Sequence, residues 1–151
     1  MISTNGGWPL DQNIYQSVKG MTAAEAACKP GGVIIMVSEC IEGHGSQSLY
    51  DTFASGEEKE AIMKRFLETP MEATEPDQWQ GQIMCRVLLK HPVIMVTSAP
   101  KEMVTAMQME YADSIEAAIK KAEEILGNPE AGITVIPDGV SVIVKEETGG
   151  I

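Results

Sequence analysis

"GGVIIMVS", residues 31–38, and its counterpart "HPVIMVTS", residues 91–98, carry the reading of the fold. Both run through apolar, mostly β-branched side chains without polar alternation, the pattern of a strand covered on two faces. Two-sided burial belongs to parallel sheets sandwiched between helices. Similar short runs stand at residues 1–4 and 133–136, with a candidate fifth at 140–144. Helical patterns separate the first four. The expected fold is therefore a Rossmann-like, three-layer α/β/α sandwich around a mostly parallel sheet of four to five strands.

The helix signals fill the gaps. Thr22 with Glu25 and Asp113 with Glu116 have capping-box spacing, and Thr74-Glu75-Pro76-Asp77 places a proline in a first turn. From Asp113, the residues Ile115, Ala118, Ile119, Ala122, Ile125 and Leu126 share an arc of about 120° before Gly127 stops the helix. Residues 45–70 hold one or two further helices; one would be capped by Ser55, with residues 57–60 as its solvated, acidic first turn. The tail, residues 145–151, reads as frayed. Because the chain opens directly in a strand, it reads as one domain taken from a longer protein.

Composition narrows the function classes. A chain of 151 residues suits one domain, and 44% hydrophobic but only 5% aromatic content with ten methionines predicts an aliphatic, Met-filled core. Twenty-two acidic against eleven basic residues give a net charge of −11, which argues against nucleic acid or an anionic membrane as partner. Three scattered cysteines without a C-x-x-C pair predict buried free thiols and a reducing compartment. With no signal-peptide layout and no apolar run near the ~20 residues of a membrane span, the expected location is cytoplasmic.

In a parallel sheet, ligands bind at the rim of strand C-terminal ends, where the strand order reverses. The rim loops read from sequence are residues 5–9, 39–46 and 99–101, and Trp79 should lie near them at the start of a helix. On the helix expected after Pro9, Leu10, Ile14, Val18 and Met21 share one arc and Gln12, Tyr15, Gln16 and Lys19 the other. A phenol, an ammonium and two amides together suit a small carboxylate or phosphate, though a wet helix face has the same pattern. His44 and Glu39 are isolated rim residues without adjoining partners, and Asp138-Gly139 is a turn. No triad, metal cluster or supported carboxylate pair emerges, so the chain alone reads as catalytically incomplete.

Four segments, "TNGGWPLDQNIYQSVKGMTAAE" (4–25), "KPGGVIIMVSECIEGHG" (29–45), "PDQWQGQI" (76–83) and "ITVIPDGVSVIV" (133–144), occur in the order and spacing of one family. Together they resemble the C-terminal domain of the nickel-dependent lactate racemases, which use a nickel-pincer nucleotide. The resemblance implies a two-domain enzyme with its active site between the domains. The N-terminal domain, a partner in the same protein, would carry the cofactor lysine, the nickel-ligating histidine and the catalytic histidine pair. No catalytic residue is then expected in this chain, and no metal ligand.

The resemblance assigns Tyr15, Gln16 and Lys19 to substrate binding, with Gln16 and Lys19 holding a small 2-hydroxy acid, and Trp79 to the cofactor-facing cavity wall. The implied reaction inverts the substrate by transient hydride transfer from C2 to the cofactor and back. Trp8 stands where the family more often has tyrosine in "NGGxP", so the preferred acid can differ from lactate. The competing reading is a stand-alone, non-catalytic α/β module that binds a small anion or a protein partner at the same rim.

Overall fold

The computed structural model describes residues 1–145. Five strands, β1 (Ile2–Thr4), β2 (Ile34–Val37), β3 (Val93–Val96), β4 (Glu110–Ala112) and β5 (Val135–Ile136), form one sheet in the order β4-β3-β2-β1-β5. Every pairing is parallel. Among the described residues six α-helices surround it: α1 (Ile14–Ala27), α2 (Gln47–Phe53), α3 (Lys59–Glu68), α4 (Gln78–Lys90), α5 (Lys101–Ala106) and α6 (Ile115–Leu126). The sheet is thus wholly parallel and the fold is the expected three-layer sandwich.

The two quoted runs pair with each other, Ile34 beside Val93 through Val37 beside Val96. Their side chains divide by parity. Ile34, Met36, Val93 and Met95 enter a large core with α1 and α4, while Ile35 and Ile94 face a smaller cluster that includes Ala118 of α6. Strand order explains the unequal layers. Steps from β1 to β4 run in one direction, so right-handed crossovers set their helices on one face; the return from β4 to β5 sends α6 alone to the other. α6 accordingly touches β2, β3 and β4.

The core is aliphatic, with Met21, Met36, Met84, Met95, Met107 and Met109 buried and only Phe53 and Phe66 as buried aromatics. Cys40 and Cys85 are buried free thiols, whereas Cys28 is half-buried. Burial, reinforced by the Glu60 carboxylate, pushes the Cys85 thiol up to about 11, and it donates to Lys59 O at 3.0 Å.

Several local expectations are corrected. Residues 140–144 form no strand: the Asp138 carboxylate accepts from Val140 N and Ser141 N, turning the chain, and Val142 and Ile143 are exposed. The fifth strand is β4, a short edge strand without an apolar run. α1 begins at Ile14, capped by Asn13, so Thr22 and Glu25 are interior to it, and Leu10 and Gln12 lie outside it. Ser114, not Asp113, caps α6 by accepting from Ala117 N. Ile115 and Ile125 flank the apolar stripe and stay exposed.

Pro76 precedes α4 instead of entering its first turn. Ser55 belongs to a turn, accepting from Glu57 N, and α3 starts four residues later, so Glu57 and Glu58 precede its first turn. Gly127 does end α6, in the left-handed region at φ 61°. Apart from Lys145, the tail expectation lies outside the described residues.

Candidate ligand-binding rim

Two rim loops are laced together through their backbones. Cys40 N donates to Asp11 O and Glu42 N to Gln12 O, while Ile14 N donates to Gly43 O and Tyr15 N to His44 O. The lacing carries the loop after β2 directly onto the first turn of α1. It needs Gly45, at φ 77°, because a side chain there would overlap the Asn13 amide that caps α1.

Asn5, fully buried where β1 ends, secures the next turn. Its amide donates to Leu10 O at 2.6 Å and Gln16 O at 2.7 Å and accepts from Gly20 N at 3.0 Å. Gln16 O and Gly20 N are the two ends of one i→i+4 helical step. The Asn5 side chain therefore grips the turn that carries Gln16 and Lys19. Gly20 permits the approach, since a Cβ there would stand 2.6 Å from Asn5 Oδ1 and from Met36 Cε.

The sheet order reverses beside β1, and this is the end of the sheet where the candidate residues gather. Thr4 Oγ1 donates to Pro137 O at 2.6 Å and Gly139 N to Thr4 O at 2.8 Å, tying the β1 and β5 exits together.

Tyr15 and Trp79 meet edge-to-face with centroids 6.4 Å apart. Tyr15 Oη donates to Asp77 Oδ1 at 3.2 Å, and Gln80 Nε2 donates to Tyr15 O at 2.7 Å. Burial first, then the Asp77 carboxylate, hold the Tyr15 phenol above the usual tyrosine range. Gln16 lies next on the helix, and its side-chain oxygen is buried without a hydrogen-bond partner. Lys19 is exposed and enters none of the ion pairs among the described residues.

The other rim residues do structural work. His44 stacks on Tyr50 at 5.0 Å, with Nδ1 buried and unpartnered. Glu39 accepts from Ser98 Oγ through both its carboxylate and its backbone oxygen, joining the β2 and β3 exits. His91 is at the far edge, where Nδ1 meets Gly32 O at 2.9 Å. Also at that far edge is a cavity of about 480 Å³, lined by Ala27, Cys28, Gly32, Ile119, Leu126 and Thr134, remote from the rim.

Sequence reading missed Asn5, Asp77 and Ser46. The "NGG" loop acts through its asparagine amide, which reaches Leu10, Gln16 and Gly20. Asp77 reads only as part of a helix start and Ser46 falls within a rim loop, because the two meet across 31 positions of the chain. Among the described residues no group of three His, Cys, Asp or Glu could hold a metal. No helix there is long and apolar enough to cross a membrane.

Comparison with known proteins gives a consistent picture. Residues 1–144 match the family model described as lactate racemase C-terminal domain. The chain is 51% identical over 148 residues to a lactate racemase of Thermoanaerobacterium thermosaccharolyticum, covering 97% of this chain and 34% of that protein. It is 48% identical over 145 residues to the lactate racemase of Lactiplantibacillus plantarum, covering 95% and 34% respectively. The solved lactate racemase apoprotein from T. thermosaccharolyticum superposes with a TM-score of 0.92 at 53% identity, over 96% of this chain and 35% of that one. The chain spans about a third of the length of these relatives.

Proposed function

This chain belongs to the lactate racemase C-terminal domain family, and from that premise we propose that it is the substrate-clamping domain of a 2-hydroxyacid racemase. The observation that carries the reading is that α1 holds, three residues apart, Lys19, which enters no ion pair among the described residues, and Gln16, whose Oε1 has no hydrogen-bond partner there. A buried acceptor without a donor is costly unless something completes it. The C2 hydroxyl of a 2-hydroxy acid would donate to Gln16 while its carboxylate meets Lys19. Tyr15 and Trp79 would form the adjoining wall.

Among the described residues no group of three His, Cys, Asp or Glu offers a ligand set to the nickel-pincer nucleotide that the sequence resemblance implies. It would be held by the remaining two-thirds of the longer protein, in an N-terminal domain that faces this rim. The role proposed for Lys19 and Gln16 is to hold and orient the acid while groups supplied from elsewhere break and remake bonds. Once the opposing domain excludes water, the attraction between Lys19 and the carboxylate strengthens.

In the full-length, cofactor-loaded protein, Lys19→Ala should lower kcat/KM for racemisation by about 100-fold, the scale of losing one desolvated charge partner. Unchanged racemisation would reject the clamp.

A further inference from the structure

We infer that Asp77 is a positioning and specificity-determining residue: by engaging the only Tyr15 hydroxyl hydrogen, its carboxylate leaves Tyr15 able to accept, but not donate, toward a bound acid. The inference rests on the reading of Tyr15 as part of the substrate-facing wall.

Asp77 occupies the N-cap position of α4 in the left-handed region, at φ 63°, and its side chain makes no cap bond. Aspartate at an N-cap ordinarily accepts from the helix's own first turn, and a non-glycine residue in this region costs about 1 kcal/mol or more. Both local preferences are set aside. The carboxylate instead joins three helices: Oδ1 accepts from Tyr15 Oη of α1 at 3.2 Å, and Oδ2 accepts from Ser46 Oγ, the cap of α2, at 2.7 Å. A local rule broken at a rim, with the freed group directed to a distant side chain, marks a functional constraint.

The surroundings leave Tyr15 little choice. Its backbone is pinned on both sides, N–H to His44 O and C=O to Gln80 Nε2, and its ring abuts Trp79 edge-on. A phenol has one hydrogen and two lone pairs. With that hydrogen committed to Asp77, the remaining lone pairs complement a hydroxyl donor and not a carbonyl acceptor, and the single C2 hydroxyl hydrogen would be shared between Tyr15 Oη and Gln16 Oε1 in a three-centre bond. The rim would thereby favour 2-hydroxy acids over 2-oxo acids of the same size. Losing a matched donor leaves a site oxygen unpaired, which discriminates more strongly than adding bulk.

The test uses the full-length, cofactor-loaded protein with lactate as substrate and pyruvate as competitor, comparing the ratio of pyruvate Ki to lactate KM. Asp77→Gly removes the carboxylate while glycine tolerates the backbone conformation. The expected result is a fall in that ratio of about fivefold, the scale of one hydrogen bond. Asp77→Asn, with a single acceptor left for two donors, should fall between wild type and Asp77→Gly.

In a Tyr15→Phe background, Asp77→Gly should produce no further change in the ratio. An unchanged ratio in Asp77→Gly, or an equal fall with Tyr15 absent, would overturn the inference alone. Wild-type KM and ratio in Tyr15→Phe would instead remove the premise, whatever Asp77 does.

Discussion

Glu25 faces α4 from α1 with its side chain only 8% exposed, and it takes hydrogen bonds from Arg86 and Lys90. Burial by itself would raise its pKa, but the two cations outweigh burial and hold the carboxyl below the usual range. A depressed folded pKa means a contribution present above the unfolded value, near pH 4, and lost as pH falls through the folded value. Because Arg86 and Lys90 are about half exposed, solvent limits the effect. Glu25→Gln should destabilise the fold by about 1 kcal/mol at neutral pH, measured by denaturant unfolding. The gap from wild type should close as pH falls from the unfolded value near 4 through the depressed folded value, below which both side chains are neutral.

Glu25 also shows what is illegible at this scale. Its spacing from Thr22 mimics a capping box, and only the arrival of α4 reveals an ion-pair hub. Asp77 is similar: its partners Tyr15 and Ser46 lie 62 and 31 positions away. Tyr15, Gln16 and Lys19 share one face of α1 and Trp79 lies in the first turn of α4, so their placement follows from local pattern alone.

At the scale of elements, α1 is defined by what touches it. Gly20 is a poor helix former, and alanine would gain about 1 kcal/mol in an exposed helix. Here a methyl group would strike the Asn5 amide, Met36 and Thr4 O. Gly20→Ala should therefore lower stability by about 2 kcal/mol against the propensity trend, as an overpacked contact does. A raised melting temperature in that variant would show that α1 can move off β1. Strands β2 and β3 were legible because burial on two faces forces apolar runs, and β5 from its β-branched residues although Val135 is exposed at the edge. β4 was not, because Glu110-Tyr111-Ala112 lies at an edge with Glu110 exposed. The run at 140–144 had the composition of a strand, but the Asp138 turn redirects the chain just before it.

For the whole molecule, the strand order decides where stability concentrates. β2 and β3 are paired on both sides and share the larger core, whereas β5 pairs through only two residues at an edge. Amide hydrogen exchange should be slowest in Ile34–Val37 and Val93–Val96 and fastest, among the strands, in Val135–Ile136. Equal protection across the sheet would mean that the smaller cluster under α6 holds as firmly as the larger one.

The lacing between residues 11–15 and 40–44 bears on affinity through entropy. A free loop must surrender its backbone freedom when a guest arrives, at a cost of about 1–2 kcal/mol for each residue ordered. These residues surrender it on folding instead, so the small acid proposed for this rim would be held without first having to organise its host.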